Sequence, residues 1–306
     1  MKVLVTGGAG FIGAYLVREL EKNNQDVVVV DNLSTGSRAN LSKDINLIEM
    51  DICDERMAKF IAKGSFDAIV HLAGQTNVNE SIRKPKIDAQ ANVIGTVNLL
   101  EAVRKSNVKR VVFASTAAVY GNVEEKNLPV EETQSLNPTS FYALTKITAE
   151  SYFSLYSKIF GVEYMILRFA NVYGELQCKK GESSVVNIFL DLAVRGKEIT
   201  VYGDGKQTRD FVHAKDIARG IYCALTTENK NLICNLSTQT EISLNYLIEL
   251  LEEILDKKIR SINLESRVGD IKRSSLSNKS ARNFLNWNPQ INLSDGLKLS
   301  LTSKNS

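Results

Sequence analysis

The 306-residue chain has few of the residues that build metal centres or disulfide frameworks. Its four cysteines are scattered without a CxxC pair, and its only histidines are His71 and His213. Four scattered cysteines and two histidines suggest neither a zinc site nor a disulfide framework, so we expect no metal and no disulfides. Scattered, reduced thiols are typical of the cytoplasm, which is the predicted location.

The sequence also lacks a strong charge of one sign and long apolar segments. Its 38 Lys and Arg against 35 Asp and Glu give a net charge of +3, which is too small to indicate nucleic-acid or membrane-surface partners. The longest apolar runs are too short and too interrupted to span a bilayer. No signal peptide is expected, because residues 2–6 already have the pattern of a strand. A composition of 43% hydrophobic and 24% charged residues is ordinary for a globular protein.

What the sequence does contain is an alternation of short β-branched runs and helical stretches. Near-continuous apolar strands separated by helices predict a Rossmann-type, doubly wound parallel sheet in an α/β fold. After Arg168 the rhythm loosens, so we predict a Rossmann domain over 1–170, with contributions from about 211–236, and a smaller, interleaved α/β substrate lobe over 171–306. The predicted strands are 2–6, 26–31, 46–50, 67–72, 110–115, 162–168 and 199–202; the predicted helices are 11–22, 85–106, 139–160, 214–226, 243–257 and 277–285, with one more after the loop at 174–184.

A glycine-rich loop lies directly between the first strand and the first helix. Gly7, Gly10 and Gly13 permit a tight turn, a close approach of the backbone to a pyrophosphate, and close packing of helix on sheet. The helix N-terminus, which begins with Phe11 and Ile12, then offers its N–H groups to the phosphates. Glycines alone could mark a turn, but the strand–loop–helix context predicts a dinucleotide site.

Carboxylates end the second and third strands. Asp31 lies eighteen residues after Gly13, where it can accept hydrogen bonds from the adenosine ribose and would repel a 2′-phosphate, which favours NAD over NADP. The alternative is a turn or cap residue, since Asp31 and Asn32 begin a loop. Asp51, followed by Ile52, could flank the adenine, although Asp is common after strands for turn reasons alone.

Tyr142 and Lys146 stand four residues apart in a predicted helix, so their side chains share one face. A tyrosine with a pKa of about 10 is a poor base at neutral pH, but a nearby ammonium and the positive nicotinamide ring lower that pKa. Such pairs also occur on exposed helix faces. The strand before the helix favours catalysis, because its carboxyl end carries Thr116 and Ser115, whose hydroxyls could share the substrate oxygen.

With these motifs the sequence resembles the extended short-chain dehydrogenase/reductase family. Within that family it is most similar to the nucleotide-sugar branch and, there, to the UDP-glucose 4-epimerases. The resemblance runs over nearly the whole chain. The matching strings are Gly7-x-x-Gly10-x-x-Gly13, Asp31-Asn32, His71-Leu72-Ala73, Ser115-Thr116-Ala117-Ala118-Val119-Tyr120-Gly121, Tyr142-x-x-x-Lys146, and those over 167–174, 201–212 and 267–274.

The resemblance implies roles for further residues. It implies that Thr116 is the hydroxyl partner of Tyr142, and that Asn92 supports the active-site backbone. It places Arg209 and Arg267 at the diphosphate and Asp270 at the ribose. Arginine suits diphosphate through charge-assisted hydrogen bonds, and Asp suits a ribose diol. Each of the three could also be an ordinary ion-pair partner. The implied NAD site adds Asn32, Ile52, Leu72, Ala73, Asn92 and Ser115; the implied substrate site comprises Thr116, Asn171, Val185 on the uracil wall, Tyr202, Arg209, Arg267, Asp270 and Ser274.

The resemblance also implies a mechanism and a partner. Tyr142, as phenolate, takes the proton of the sugar 4-hydroxyl while the C4 hydride passes to NAD; the 4-keto sugar then swings about its diphosphate linkage and receives the hydride on its other face. Many relatives form homodimers through the helices at 85–106 and 139–160, so a homodimer is expected. Ser274 stands where a large aromatic residue would exclude an N-acetyl group, so N-acetylated sugars are expected to be accepted.

Two departures from the family pattern stand beside these matches. Phe141 replaces a common proline before the tyrosine, which could reshape the sugar pocket. Glu175-Leu176-Gln177 replaces a common Pro-Arg, so a phosphate contact could be missing there.

Five other functions are possible for such a chain. A UDP-glucuronate 4-epimerase uses the same machinery and is the main alternative. Dehydratases and uronic-sugar decarboxylases carry carboxylates after the catalytic threonine, where this chain has Ala117 and Ala118. A non-catalytic dinucleotide-binding scaffold would have lost Tyr142 or Lys146. A dehydrogenase of a small hydroxy compound would not need the diphosphate motifs.

Overall fold

The alternation of apolar strands and helices produces one parallel sheet of seven strands in the computed structural model, which describes residues 1–176, 184–266 and 271–304. The strands are β1 (Lys2–Thr6), β2 (Asp26–Asp31), β3 (Asn46–Glu49), β4 (Ala68–His71), β5 (Arg110–Thr116), β6 (Glu163–Phe169), β7 (Asn171–Tyr173), β8 (Ile199–Tyr202), β9 (Thr208–Arg209), β10 (Phe211–His213), β11 (Leu232–Leu236), β12 (Ile242–Ser243) and β13 (Ser261–Leu264). The helices are α1 (Phe11–Lys22), α2 (Arg56–Gly64), α3 (Val78–Arg83), α4 (Pro85–Ala89), α5 (Gly95–Val103), α6 (Phe141–Phe160), α7 (Val185–Val194), α8 (Ala214–Thr226), α9 (Leu244–Leu255), α10 (Lys279–Leu285) and α11 (Leu293–Lys304).

The strand order is β3-β2-β1-β4-β5-β6-β11, and every pairing is parallel. The order reverses between β1 and β4, and such a switch point opens a crevice at the carboxyl ends of the strands. This arrangement confirms the predicted Rossmann-type α/β fold. The crevice is where the glycine loop after β1 and the hydroxyl residues at the end of β5 come together.

Side chains of alternate strand residues enter opposite cores. On β1, Val3 and Val5 pack on one face with Leu16 of α1 and Ile217 of α8, whereas Leu4 packs on the other. That second core holds residues of α2, α5 and α6, including Met57, Leu99 and Phe153. Because both faces are covered, β1 reads as a continuous apolar run, as expected for a buried parallel strand.

Residues outside the large sheet form smaller units around a third core. Among the described residues, β7 pairs with β10 and β8 with β13, both parallel, and β9 pairs with β12 in antiparallel. Helices α7 and α9 supply Phe189, Leu190, Leu247 and Leu251 to this core. These short pairs bring β9 and β10 beside the end of β6, which positions the substrate half of the site.

The structure differs from the sequence prediction in several elements. The predicted helix at 85–106 is broken by a π-helical turn, Gln90–Ile94, and ends at Val103. Strand β11 was not predicted, because Leu232–Leu236 is too short to show a period, yet it pairs along β6. Helices α2, α3 and α11 were also missed. The domain boundary near 170 stays a prediction. Within the described ranges, every helix is too short or too polar to span a membrane.

Candidate active site

The glycine loop after β1 needs glycine for reasons of space and conformation. Gly7 has a φ of +71°, and a Cβ there would lie 2.7 Å from the Ala73 nitrogen. A Cβ at Gly13 would lie 2.2 Å from the Gly7 oxygen. Gly10 is the N-cap of α1 and provides no side-chain cap. The N-terminus of α1 therefore retains N–H groups for an anion.

Asp31, at the end of β2, is hydrogen-bonded to the glycine loop. Its Oδ2 accepts a hydrogen bond from the Ala9 nitrogen at 2.9 Å, and its Oδ1 accepts one from the Leu33 nitrogen at 2.8 Å. Burial raises the pKa of this carboxyl. Asp31 is thus a turn residue, as the alternative reading proposed, and it also lines the cavity. The two readings are compatible.

Asn32 and Asp51 form the adjoining rim. The Asn32 amide donates to Asp51 Oδ2 at 2.6 Å, while Asp51 Oδ1 accepts from the Cys53 nitrogen at 2.8 Å. Ile52 is buried beside Gly95, where a Cβ would lie 2.5 Å from its Cδ1. These polar groups of loops β2–β3 and β3–α2 therefore fix each other at one end of the cavity.

These residues line a cavity of about 790 Å³ that extends to the end of β5. Every residue that the sequence suggested for the cofactor lines it, except Asn92. A loop that admits no Cβ, a helix N-terminus and a carboxylate at the far end fit the pyrophosphate and ribose of a dinucleotide. The lining residues that were not predicted include Thr35, Thr76, Asn77, Asn79, Ser184 and Ile188; their residue types alone gave no signal.

Tyr142 and Lys146 lie on the first turns of α6, as their spacing predicted, and both line the cavity. The Lys146 Nζ donates to the Ala114 oxygen at 2.9 Å and lies 6.0 Å from the centroid of the Tyr142 ring. Burial lowers the pKa of Lys146 to about 8, against the opposing effect of the Asp88 and Glu150 carboxylates. The lysine is thus a buried cation next to the tyrosine.

The two hydroxyl candidates at the end of β5 have different partners. Ser115 donates to Glu150 Oε1 at 2.5 Å, and Glu150 also forms a buried ion pair with Arg168 through contacts of 2.6 and 3.0 Å. Thr116 Oγ1 instead accepts from the Ala118 nitrogen at 3.2 Å, so its own proton can be donated to a substrate oxygen. This contrast favours Thr116 over Ser115 as the partner of Tyr142.

Asn92 lies in the π-helical turn beneath the site and is 2% exposed. Its Oδ1 accepts from the backbone nitrogen of Gln75 at 2.9 Å, and its Nδ2 donates to the backbone oxygen of Gln75 at 2.9 Å. Asn92 therefore holds the segment after β4, as a support of the backbone, and does not line the cavity. π-Helical turns are frequent at functional sites.

His71, a buried histidine to which the sequence analysis assigned no role, is hydrogen-bonded to the same region. The Thr96 hydroxyl donates to the backbone oxygen of Asn92 at 2.6 Å, so Thr96 Oγ1 accepts from His71 Nε2 at 3.1 Å. Thr6 donates to His71 Nδ1 at 2.8 Å. Burial lowers the pKa of His71 to about 3, which keeps the ring neutral. The chain of bonds connects β1, β4 and the helix that carries Asn92.

A second cavity, of about 200 Å³, adjoins the first at Thr116 and Tyr142. Asn171, Arg209 and Ser274, three of the predicted substrate residues, line it. Arg209 Nη1 donates to the Thr208 oxygen at 2.8 Å and the Ile271 oxygen at 2.7 Å. These bonds hold the guanidinium at the wall, where it can meet an anionic ligand.

The remaining predicted substrate residues are not in this cavity. Val185, at the start of α7, and Tyr202, at the end of β8, line neither cavity. Arg267 and Asp270 lie outside the described residues. Arg273 lines the second cavity although the sequence reasoning gave it no role; it pairs with Glu241 and Glu125 at 2.6 and 3.1 Å.

The two departures from the family pattern, Phe141 and the string that begins at Glu175, lie in different parts of the structure. Phe141 is 46% exposed at the start of α6. The Glu175 carboxylate accepts a short hydrogen bond from Tyr15 and pairs with Lys215 at 2.8 Å. Glu175 is therefore bound to α1 and α8. Gln177 lies outside the described residues, and the missing phosphate contact stays a prediction.

A dinucleotide cavity that leads to a Tyr–Lys–Thr cluster on a Rossmann-type sheet defines an enzyme that moves hydride through a bound nicotinamide cofactor. No group of three metal-ligating side chains occurs in the described part of the chain.

Comparison with known proteins gives the family. The profile described as "NAD dependent epimerase/dehydratase family" matches residues 3–236. A putative UDP-glucose 4-epimerase of Methanocaldococcus jannaschii is 40% identical over 297 residues, 97% of this chain and 96% of that protein. The chain therefore belongs to the NAD-dependent epimerase/dehydratase family, and NAD is its cofactor.

Two solved structures are similar over the whole chain. UDP-glucose 4-epimerase of Thermotoga maritima, with UDP-glucose, is 37% identical with a TM-score of 0.95, covering 100% of this chain and 99% of that one. UDP-glucose 4-epimerase of Thermus thermophilus, in complex with NAD, is 34% identical with a TM-score of 0.93 and the same coverage.

Proposed function

We propose that this enzyme interconverts the 4-epimers of UDP-hexoses, UDP-Glc with UDP-Gal and UDP-GlcNAc with UDP-GalNAc. The observation that carries the proposal is that Thr116 and Tyr142 line both cavities at once. A hexose held in the smaller cavity would then meet the cofactor's cavity at these two hydroxyls. The similar structure with bound UDP-glucose supports the choice of substrate class.

The residues divide the acid–base work between them. Tyr142, as phenolate, takes the proton of the sugar 4-hydroxyl and later returns it to the same oxygen. Lys146 stabilises the phenolate by its charge, and Thr116 donates to the reacting oxygen. NAD, when bound, supplies the hydride acceptor and donor for C4. Net redox is zero, so one tightly held cofactor serves many turnovers.

Inversion at C4 requires the sugar to present both faces while its nucleotide stays fixed. Arg209 lies on the wall of the sugar cavity and suits the diphosphate, because a guanidinium can donate to two phosphate oxygens. Asn171 lies on the same wall. Firm anchoring of the diphosphate and loose packing of the sugar are the combination that such a turn needs.

Ser274 supports the acceptance of N-acetylated sugars. It lines the smaller cavity and is only partly buried. A serine side chain is small, so it leaves space where an aromatic ring would meet the acetamido group. We propose that this position sets the range of substituents at C2.

The test is proton NMR of the purified enzyme incubated separately with UDP-Gal and UDP-GalNAc, without added NAD. We expect conversion of both to the gluco isomers, with no release of NADH. Conversion of UDP-Gal alone would contradict the proposal for N-acetylated sugars. Conversion of neither, with NAD then supplied, but conversion of UDP-glucuronate, would replace the proposal by its main alternative.

We also propose that the enzyme is a cytoplasmic homodimer. The surface of α3, α4, the π-helical turn and α6 exposes Ile82, Ile87, Ile94, Leu155 and Ile159, each at least 50% exposed. These side chains lie on helices that pack against one another, and a large exposed apolar surface indicates a protein–protein interface. Light scattering should give a dimer mass for the wild type and a monomer mass for Ile159→Glu. Phe284→Glu, at an equally apolar position on α10, should remain dimeric.

A further inference from the structure

A buried carboxylate beneath the active site has no part in the chemistry described above. Asp88, on the short helix α4, is fully buried. Its Oδ1 accepts from Gln75 Nε2 at 2.7 Å and from Asn92 Nδ2 at 3.1 Å, and its Oδ2 accepts from Thr145 Oγ1 at 2.7 Å. All three donors are neutral. Among the described residues, no cation lies within salt-bridge distance of this carboxylate.

A buried charge without compensation is costly, so the charge of Asp88 needs a cation near it. The ammonium of Lys146 meets this need. It is 3% exposed, and it follows Thr145, a hydrogen-bond donor to Asp88, in the chain. A Cβ at Gly74 would lie 2.5 Å from Asn92 Oδ1 and 3.7 Å from Lys146 Nζ, so the ammonium lies near the amide that donates to Asp88. Its electrostatic interaction with Asp88 favours its protonated form.

The other charged groups around Lys146 do not duplicate this effect. Glu150, one turn further along α6, also favours the ammonium, but its charge is shared with the guanidinium of Arg168 at 2.6 Å. His71 on β4 is neutral, and Tyr142 is the group on which the lysine acts. Asp88 is thus the carboxylate near Lys146 whose own hydrogen-bond partners carry no charge.

We propose that Asp88 is a positioning residue that keeps Lys146 protonated and fixed beside Tyr142 through the working pH range. The proposal rests on the proposed function, because it assigns Lys146 the role of stabilising the phenolate. Asp88 touches neither cavity; it acts through Lys146 by charge and through Thr145 by a hydrogen bond.

Asp88→Asn removes the charge and retains the hydrogen bonds. The amide oxygen can accept from Gln75 and Asn92, and the amide nitrogen can donate to Thr145, whose hydroxyl then donates only to the backbone carbonyl oxygen of Tyr142, 3.0 Å away. Thr145→Val is the matched control, since it removes the hydrogen bond and leaves the charge. We expect Asp88→Asn to move the alkaline limb of the kcat–pH profile down by about one pH unit. Thr145→Val should leave this limb in place. An unmoved limb in Asp88→Asn, or equal shifts in both variants, would overturn the proposal.

A second measurement does not depend on activity. In a double-mutant cycle with Lys146→Met, followed by urea unfolding at pH 7, Asp88→Asn should destabilise the wild-type background more than the Lys146→Met background. If Asp88→Asn alone does not fold, the double variant should. Equal losses in both backgrounds, or failure of both to fold, would reduce Asp88 to a structural residue and refute the proposal.

The two proposals can fail separately. If the wild type does not epimerise any UDP-sugar, the proposed function fails, while the unfolding cycle still tests the coupling of Asp88 and Lys146. If the wild type is active and the cycle shows no coupling, only the role of Asp88 is lost.

Discussion

The half of the site that serves the cofactor and the half that serves the substrate are built in different ways. The first lies on a seven-stranded sheet, and two of its charged groups are buried and hydrogen-bonded to the backbone, Asp31 to Ala9 and Lys146 to Ala114. The second lies on strand pairs, and Asn171, Arg209 and Ser274 are not fully buried. Buried groups suit chemistry that is the same for every sugar, and partly exposed groups suit a pocket that can change with the sugar.

If the two halves divide the work in this way, the largest effect should come from the tyrosine. We expect Tyr142→Phe to lower kcat by about 10³-fold or more, because the general acid–base is removed, with little change in substrate affinity. NMR assays with UDP-Gal will measure this. Tyr152→Phe, on the same helix outside both cavities, is the control and should stay within about twofold of the wild type. A mild effect of Tyr142→Phe would assign the proton transfer to another group.

The next largest effect concerns stability. The pKa of Lys146 in the folded protein is lowered by burial to about 8 from 10.5, so burying the ammonium costs at most about 3 kcal/mol. Below pH 8 both the folded and the unfolded states are protonated and the full cost applies; it declines between pH 8 and 10.5 as the folded state loses its proton first.

Lys146→Met should therefore abolish activity yet unfold at a higher urea concentration than the wild type at pH 7. This advantage should shrink by pH 9.5. Urea unfolding at the two pH values tests the sign. An advantage that grew with pH would mean that the ammonium stabilises the fold.

In the substrate half, effects should fall on binding. We expect Arg209→Met to raise KM by about 10- to 100-fold with a smaller change in kcat, since hydrogen bonds to a charged group contribute about 1.5–3 kcal/mol. Steady-state kinetics with UDP-Gal gives both constants. Arg195→Met, at an exposed arginine after α7, is the control. A loss confined to kcat would place Arg209 in the chemistry rather than in anchoring.

The smallest change in overall activity should accompany a change in specificity. Ser274→Tyr should reduce kcat/KM for UDP-GalNAc by at least about tenfold and leave that for UDP-Gal within about threefold, because we expect the ring to occupy the space of the 2-substituent. Ser274→Ala should retain both activities. Equal losses for the two sugars would show that residue 274 does not distinguish them.

The sequence predicted the parts of the site that lie within one strand–loop–helix segment. The glycine loop with Asp31, and Tyr142 with Lys146, are spaced by the geometry of a Rossmann unit and of one helix, so their positions could be read directly. Arg209 and Asn171 were suggested by resemblance. The Asn171 nitrogen donates to the oxygen of Asp210, the residue after Arg209, and both residues line the smaller cavity.

What the sequence did not predict depends on contacts between distant segments. Asp88 and Thr145 are 57 residues apart, and Thr6 and His71 are 65 apart. The π-helical turn at Gln90–Ile94 adds a residue to one turn, which no periodicity of so short a segment reveals. Such pairings follow from the register of neighbouring strands and helices, and a single sequence does not state that register.

The double attachment of Asp31 has a consequence for how cofactor preference can evolve. Ala9 is fully buried, and its N–H depends on the Asp31 carboxylate. A substitution that welcomed a 2′-phosphate by removing this carboxylate would also leave that N–H without an acceptor, at a cost of about 1–3 kcal/mol. A lineage that changed from NAD to NADP would have to acquire a new acceptor for the glycine loop first. If Asp31 binds the adenosine ribose, as the sequence predicts, the preference for NAD is therefore coupled to the stability of the glycine loop.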